Sequence, residues 1–294
     1  MQKITFLGPL NATFSHDAYN LLAEIYGAPK EISEGPEANC VPASSNGEIL
    51  KLIGEHGGYG AIAMETRAEG RVAEPLESFI DLLNKYPKTE ACPFHIVGAV
   101  KMKLHFCFMM RRGMSTTPPH GIIAHPKSLG ACRERVRALG IPTQNAPSNG
   151  EAARLVAESQ EHALFAALGP RSAADKYGLE IINLAFEDKE AVTTFFLIAP
   201  KSHKIRVGEE NRMLIVYELL HRSGTLVHSL LPFAQNGINL VQIHSVHAGN
   251  GVYNFAIEVE SLKEDREWLR SAMEEFHHCT LKYLPFGPFE VLSR

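Results

Sequence analysis

The chain has no apolar run long enough to span a bilayer, and Met1-Gln-Lys leads straight into Ile4-Thr-Phe-Leu-Gly with no charged n-region followed by an apolar h-region. Neither a membrane span nor a secretory leader is therefore expected, and the cytoplasm is the expected address. Basic runs are also missing: 29 Lys and Arg against 33 Asp and Glu leave a net charge of −4, which argues against nucleic acid as a partner. No GxGxxG and no phosphate-binding loop with Lys-Ser/Thr occurs, so no cofactor is expected. Five cysteines (Cys40, Cys92, Cys107, Cys132, Cys279) form an odd set without CxxC spacing, which fits reduced, mostly buried thiols better than disulfides or zinc. The 14 histidines are scattered. His244 and His247 could share a face only on a helix, whereas the residues around them read as strands, so no metal site is expected. What the 294 residues do contain is apolar material, 45% of the whole, enough to fill one large core or two smaller ones.

The most informative stretch runs from Gly60 to Leu83. Ala61-Ile62-Ala63-Met64 is a short apolar run suited to a strand buried on both faces, and Glu65-Thr66-Arg67 sets polar side chains at its carboxyl end. In open α/β sheets that edge is where ligands sit. Pro75 suits the first turn of a helix, and Leu76, Phe79, Ile80 and Leu83 repeat at helical spacing to form one apolar face.

The same grammar recurs along the chain. Ile4-Thr-Phe-Leu is a strand that runs through Gly8-Pro-Leu-Asn-Ala-Thr-Phe-Ser15 into a helix, with the hydroxyls of Thr13 and Ser15 at capping positions. A helix start with free amides can bind a carboxylate, and hydroxyls add donors there. Ile96-Val-Gly-Ala-Val-Lys and Leu104-His-Phe-Cys-Phe-Met-Met read as central strands. Gly121-Ile-Ile-Ala-His125-Pro-Lys-Ser-Leu repeats strand, turn and helix, and Ala146-Pro-Ser148-Asn-Gly-Glu starts another helix. Ala163-Leu-Phe-Ala-Ala-Leu-Gly-Pro-Arg171 and Phe186 through Pro200 complete this region.

Taken in order, these segments resemble the prephenate dehydratase family, with departures at defined positions. The family opens with Gly-Pro-x-Gly-Thr-Phe-Ser, where this chain has Asn11-Ala12 in place of x-Gly. The family's Ile-Glu-Asn-Ser becomes Met64-Glu65-Thr66-Arg67, and its His-Pro-Gln becomes His125-Pro126-Lys127. Its Ser-Thr-Ala-x-Ala-Ala aligns with Ser148-Asn149-Gly150-Glu-Ala-Ala, and its Asn-x-Thr-Arg-Phe places Ala191 on the asparagine, Thr193 on the threonine and Thr194 on the arginine. The resemblance implies an α/β fold: a two-lobed, type II periplasmic-binding-protein-like domain over residues 1–200, with one lobe about 1–90 and 186–200 and the other about 91–185. It further implies catalytic roles for Thr193, Glu65 and Thr66. The expected substrate-binding set, on the family's positions and the cations near them, is Thr13, Ser15, Arg67, Lys127, Ser128, Ser148, Asn149, Arg171, Thr194 and Phe195. A threonine supplies neither the charge nor the forked donors of an arginine. Arg67, Lys127 and Arg171 are cations that the family pattern does not carry, and each is a candidate to restore the lost carboxylate contact from another side of the cleft.

After Pro200 the pattern changes to strand, helix, strand, strand, helix, strand over residues 205–294, a ferredoxin-like βαββαβ order. This region resembles an ACT domain, the amino-acid sensor that follows many dehydratase domains and pairs with its twin. The resemblance implies a homodimer or homotetramer and an amino-acid effector held by Gly224, Thr225, Leu226, Val227, His244 and Ser245. Three functions are open on this reading: decarboxylating dehydration of prephenate to phenylpyruvate, a related lyase reaction such as decarboxylation that keeps the hydroxyl, and non-catalytic metabolite binding.

Overall fold

The computed structural model of the protein describes residues 2–30, 38–66, 70–71, 73–86, 91–203, 211–249, 251–261 and 267–293. The chain begins with β1 (Ile4–Leu7), α1 (Phe14–Tyr26), β2 (Cys40–Ala43), α2 (Asn46–His56), β3 (Tyr59–Thr66), β4 (Gly70–Arg71), α3 (Ala73–Lys85) and β5 (Phe94–Leu104). It continues with β6 (Cys107–Arg111), β7 (Gly121–Ala124), α4 (Pro126–Ala131), α5 (Arg133–Leu139), β8 (Thr143–Asn145), α6 (Asn149–Glu158), β9 (Phe165–Gly169), α7 (Arg171–Tyr177) and β10 (Leu179–Asn183). β11 (Ala191–Pro200) is followed by β12 (Arg212–Leu220), α8 (Thr225–Gln235), β13 (Asn239–Gly249), β14 (Val252–Glu260), α9 (Glu267–Cys279), β15 (Lys282–Phe289) and β16 (Val291–Ser293).

Two mixed sheets form two lobes. The first has the order β16-β5-β11-β3-β1-β2, with β4 pairing β3, and the second the order β10-β6-β9-β7-β8. The chain passes between them twice, from Leu104 to Cys107 and from Asn183 to Ala191. Glu187 ties the two crossings together: its buried carboxylate meets His105 Nδ1 at 2.9 Å and accepts the Phe106 N–H at 3.0 Å. The apolar run at Ile96 reads from sequence as a central strand but carries no signal of which sheet it joins. β5 pairs with β11 throughout its length, so the first lobe reaches Leu104, well past the division expected near residue 91.

The residues explain why α1 lies where it does. Thr13 caps it, its Oγ1 accepting the His16 N–H, and Gly27 at φ 70° ends it in the left-handed turn that glycine adopts without strain. Its buried face (Ala18, Tyr19, Leu22, Ala23, Tyr26) packs on the first sheet. A Cβ at Gly98 on β5 would fall 2.1 Å from the Tyr26 ring, so that strand needs glycine there for the helix to seat.

The C-terminal strands form a third, antiparallel sheet of order β13-β14-β12-β15, the ferredoxin-like arrangement expected from the sequence. Strand alternation divides its side chains between two cores. Met213, Ile215 and Tyr217 pack with Phe233 of α8 and Phe276 of α9, while Leu214, Val216, Leu284 and Phe286 pack with Leu76, Phe79, Ile80 and Leu83 of α3. The apolar face of α3 thus belongs to both domains. The chain then returns to the first lobe, where β16 pairs in parallel with Ala99–Lys101 of β5. His244 on β13 faces α3, its Nε2 3.5 Å from Glu77 Oε1 without a hydrogen-bond geometry.

Candidate active site

One cavity of about 470 Å³ opens between the two lobes. Its polar lining comes from helix starts. The first lobe contributes Thr13 and Ser15 at the start of α1 and Ser44, Ser45 and Asn46 at that of α2, and the second contributes Ser148 and Asn149 at α6 and His125, Lys127 and Ser128 in the first turn of the short α4. Ser45 and Ser148 repeat the Thr13 device, each accepting a hydrogen bond from the backbone N–H three residues on. Aligned peptide dipoles and unpaired amides make such starts favourable places for negative charge. Glu74 of α3 and Thr193 of β11 add two further polar side chains, the apolar lining includes Leu7, Phe14, Ala63, Leu104, Phe106, Ala131 and Phe195, and Phe14 and Phe106 meet edge to face across the lobes at 5.0 Å. A small hydrophobic ring carrying carboxylates fits that combination.

The strands decide which side of the sheet each residue serves. On β11 Thr193 and Phe195 point into the cavity and are buried, while Thr194 between them points away. Thr194 instead lines a pocket of about 80 Å³ against the C-terminal domain, with Lys101, Arg212, Gln242 and Glu258. The position that aligns with the family's arginine therefore faces the C-terminal domain in this chain, so Thr194 does not line the cavity with the rest of the expected substrate-binding set. Arg171 is a second correction: β9 ends at Gly169 and α7 starts on the outside, leaving Arg171 exposed and away from the cavity. Glu65 and Thr66 end β3 in register with Thr194 and Thr193. Arg67 lies outside the described residues. Among the described residues Lys127 is the one cationic side chain that lines the cavity.

Three of these groups hold one another in place. Asn149 Oδ1 accepts the Ser128 hydroxyl at 2.7 Å and the His125 N–H at 3.3 Å, so its NH₂ is the end left to offer a ligand. His125 Nδ1 accepts the Lys127 N–H at 3.3 Å, which puts the ring proton on Nε2. Burial, with the Lys127 charge second, lowers the His125 pKa and keeps the ring neutral at pH 7. His125, Asn46 and Glu74 line the cavity although the sequence reading did not select them. Ser44-Ser45-Asn-Gly-Glu48 has the spacing of a capping box, and that signal alone could have pointed to a helix start beside the cleft.

The glycines show how tightly the lobes meet. Gly8 has φ 76°, and a Cβ there would sit 2.9 Å from the Ser148 Cβ. A Cβ at Gly150 would sit 2.6 Å from Pro9 Cγ and 2.9 Å from the Ala12 Cβ and carbonyl oxygen. Asn11, at φ 53°, takes a left-handed turn that asparagine tolerates better than most side chains.

Gly224, Thr225, Leu226, Val227 and Ser245 come together around a second cavity of about 320 Å³ on the C-terminal domain, joined by His221, Arg222 and Tyr253. His244 is not in that lining, since alternation on β13 turns it toward α3. Cys92, Cys107 and Cys132 are buried, Cys40 and Cys279 half-buried, and none forms a disulfide. No group of His, Cys, Asp and Glu among the described residues is arranged to hold a metal, and no described helix is long and apolar enough to cross a membrane.

The family model for prephenate dehydratase matches residues 4–203. A prephenate dehydratase of Methanocaldococcus jannaschii is 29% identical over 243 residues, covering 81% of this chain and 84% of that protein. Among solved structures, the prephenate dehydratase of Arthrobacter aurescens in complex with L-Phe superposes with a TM-score of 0.79 at 20% identity, over 98% of this chain and 89% of that one. GqqA, described as a novel type of quorum quenching acylase, superposes with a TM-score of 0.75 at 19% identity over 97% of both chains. At these identities the two structures establish a shared fold.

Proposed function

The chain belongs to the prephenate dehydratase family, and from that premise we propose that it converts prephenate to phenylpyruvate in phenylalanine biosynthesis, using an altered set of carboxylate contacts. The observation that carries this reading is the interlobe cavity, in which helix starts from both lobes surround an apolar floor beside Thr193 and Lys127. Prephenate is a dianion on a small ring. The reaction takes up one proton, releases the ring carboxylate as carbon dioxide and the 4-hydroxyl as water, and leaves the freed electron pair in the aromatic ring. Aromatisation drives it, so the protein's task is to orient the ligand and stabilise the departing hydroxyl.

In this reading Thr193 donates a hydrogen bond to the leaving hydroxyl. Lys127 and the starts of α1 and α6 receive carboxylate, doing what the arginine does elsewhere in the family. Of the two described candidates, Lys127 and Arg171, Lys127 is the one that lines the cavity. Retention of Thr193 favours dehydration over decarboxylation alone, because a decarboxylase has no leaving hydroxyl to assist. The C-terminal cavity is read as the site of an amino-acid effector. Val227 and Leu231, both exposed on α8, are read as part of a pairing surface for a second copy. The address is read as cytoplasmic, in keeping with a biosynthetic role.

The test is incubation of the purified protein with prephenate at neutral pH and identification of products by liquid chromatography with mass detection. Enzyme-dependent phenylpyruvate is expected. Dihydro-hydroxyphenylpyruvate would replace this reading with a decarboxylase, and untouched prephenate would move it to another substrate or to binding.

A further inference from the structure

The pocket of about 80 Å³ that Thr194 lines is built from groups the interlobe cavity does not use. It lies where the first sheet meets the C-terminal sheet, and alternation along β11 sets it on the opposite face of that strand from Thr193. Thr194 and Lys101 are partners across β11 and β5, so their side chains stand next to each other on the same face. Arg212 of β12, Gln242 of β13 and Glu258 of β14 close the pocket from the other sheet. Met64 and Phe196, both buried, add an apolar wall, which strengthens any charge interaction made inside.

The hydrogen bonds already made in this pocket use up its acceptor carboxylate and leave donors over. Glu258 is 8% exposed; its Oε1 accepts from Arg212 Nη1 at 2.6 Å and its Oε2 from Gln242 Nε2 at 2.8 Å. Arg212 Nε donates to Glu260 at 2.9 Å. Four donors remain: Arg212 Nη2, the second amide hydrogen of Gln242, the Thr194 hydroxyl and the Lys101 ammonium. None of the four has a hydrogen-bond partner among the described residues. Lys103, two residues along β5, meets Glu190 at 3.1 Å, whereas Lys101 pairs with no carboxylate among the described residues. The lining thus carries two cations, Lys101 and Arg212, against one carboxylate, Glu258, and is one positive charge in excess. Threonine at 194 supplies a donor and leaves open the space that a longer side chain on that face would take.

We infer that this pocket binds a small monovalent inorganic anion of halide size, held by Lys101, Thr194, Arg212 and Gln242. Such an ion ties β5 and β11 of the first lobe to β12 and β13 of the C-terminal domain. The inference is independent of which acid the interlobe cavity takes.

The full-length protein, freed of halide in potassium gluconate, is titrated with potassium bromide at constant ionic strength while Tm is followed. Gluconate is too large for the pocket, so it holds the ionic strength without competing. A saturable rise in Tm is expected, of about 2–5 °C at a tenfold excess over Kd. Loss of the ammonium in Lys101→Gln should weaken Kd by about tenfold or more, and loss of the hydroxyl in Thr194→Val by several-fold. Where Lys101→Gln fails to fold, Thr194→Val carries the comparison. Crystals grown in bromide should show anomalous density within hydrogen-bond distance of Lys101 Nζ and Thr194 Oγ1. A rise in Tm that never saturates is screening of surface charge, and one that both variants leave unmoved is binding elsewhere. Either would overturn the inference, as would bromide density absent from the pocket.

Discussion

Replacing Lys127 by glutamine tests the relocated carboxylate contact directly. The side chain lines the cavity, half-buried, in the first turn of α4. A hydrogen bond to a charged group contributes about 1.5–3 kcal/mol, and 1.4 kcal/mol is one decade, so kcat/KM for prephenate should fall by about tenfold to about 150-fold. Because the contact is made by substrate and transition state alike, the loss should appear mainly in KM, with kcat little changed. Lys127→Arg keeps the charge and should recover most of the activity. The fold should survive the change, since what Lys127 gives His125 Nδ1 is its backbone N–H. His125 supplies a second readout: its pKa, lowered first by burial and then by Lys127, should rise in Lys127→Gln when followed by NMR titration. A kcat/KM within threefold of the wild type in a folded Lys127→Gln variant would refute the argument and leave the carboxylate with another partner.

Thr193→Val preserves shape and removes the hydroxyl, so kcat should fall by about a hundredfold, as for loss of a single preorganised donor, with a smaller change in KM. Unchanged kcat would remove Thr193 from the reaction. His95 is held at a pKa of about 4, mainly by burial, with His203 and Lys201 adding to the effect. A histidine kept neutral in the fold binds fewer protons than in the unfolded chain, so stability should fall as the pH drops from about 6.5 to about 4, by up to about 3 kcal/mol, and level off below. Urea unfolding of the wild type and of His95→Phe between pH 7 and pH 4.5 checks this, since only the wild type should show that component. Gly150→Ala should push the β1–α1 loop away and raise KM several-fold. The further change Ala12→Gly should restore it, and a double-mutant cycle with no coupling would show that the two positions do not press on each other.

Much of the architecture was legible because it rests on local patterns. The alternating run from Met213 to Leu219 places successive side chains in two different cores, and the spacing of Leu76, Phe79, Ile80 and Leu83 produces the α3 face that both domains share. What no local pattern carries is the choice of partner. Nothing in Ile96-Val-Gly-Ala-Val says that this strand pairs with one nearly a hundred residues later in the chain. Residues 291–293 carry no mark of a strand that leaves its own domain to complete another sheet. The side chains around the cavity divide in the same way. Thr13 and Ser15 were legible because capping chemistry marks helix starts, Ser148 and Asn149 because a family motif falls on another such start, and these starts are what the fold gathers. Thr194 and Arg171 were misplaced because alignment to a motif gives a position in the chain and not the direction in which its side chain points.

The departures from the family pattern are better understood as pairs than one at a time. The family resemblance puts glycine at the position of Ala12 and alanine at that of Gly150; this chain has them the other way round, and the structure brings them together, with a Cβ at residue 150 falling 2.9 Å from that of Ala12. The volume at the lobe contact is thus conserved while its contributor changes sides. Asn149 stands where the family has threonine, and its Oδ1 takes both the Ser128 hydroxyl and the His125 N–H, next to the Lys127 that stands where the family has glutamine. These changes cluster at the rim where α1, α4 and α6 meet. A chain losing its function would accumulate substitutions there without regard to one another's volume and hydrogen bonding. Compensated substitutions instead preserve closure of the lobes around the cavity, which is what a rebuilt carboxylate site requires.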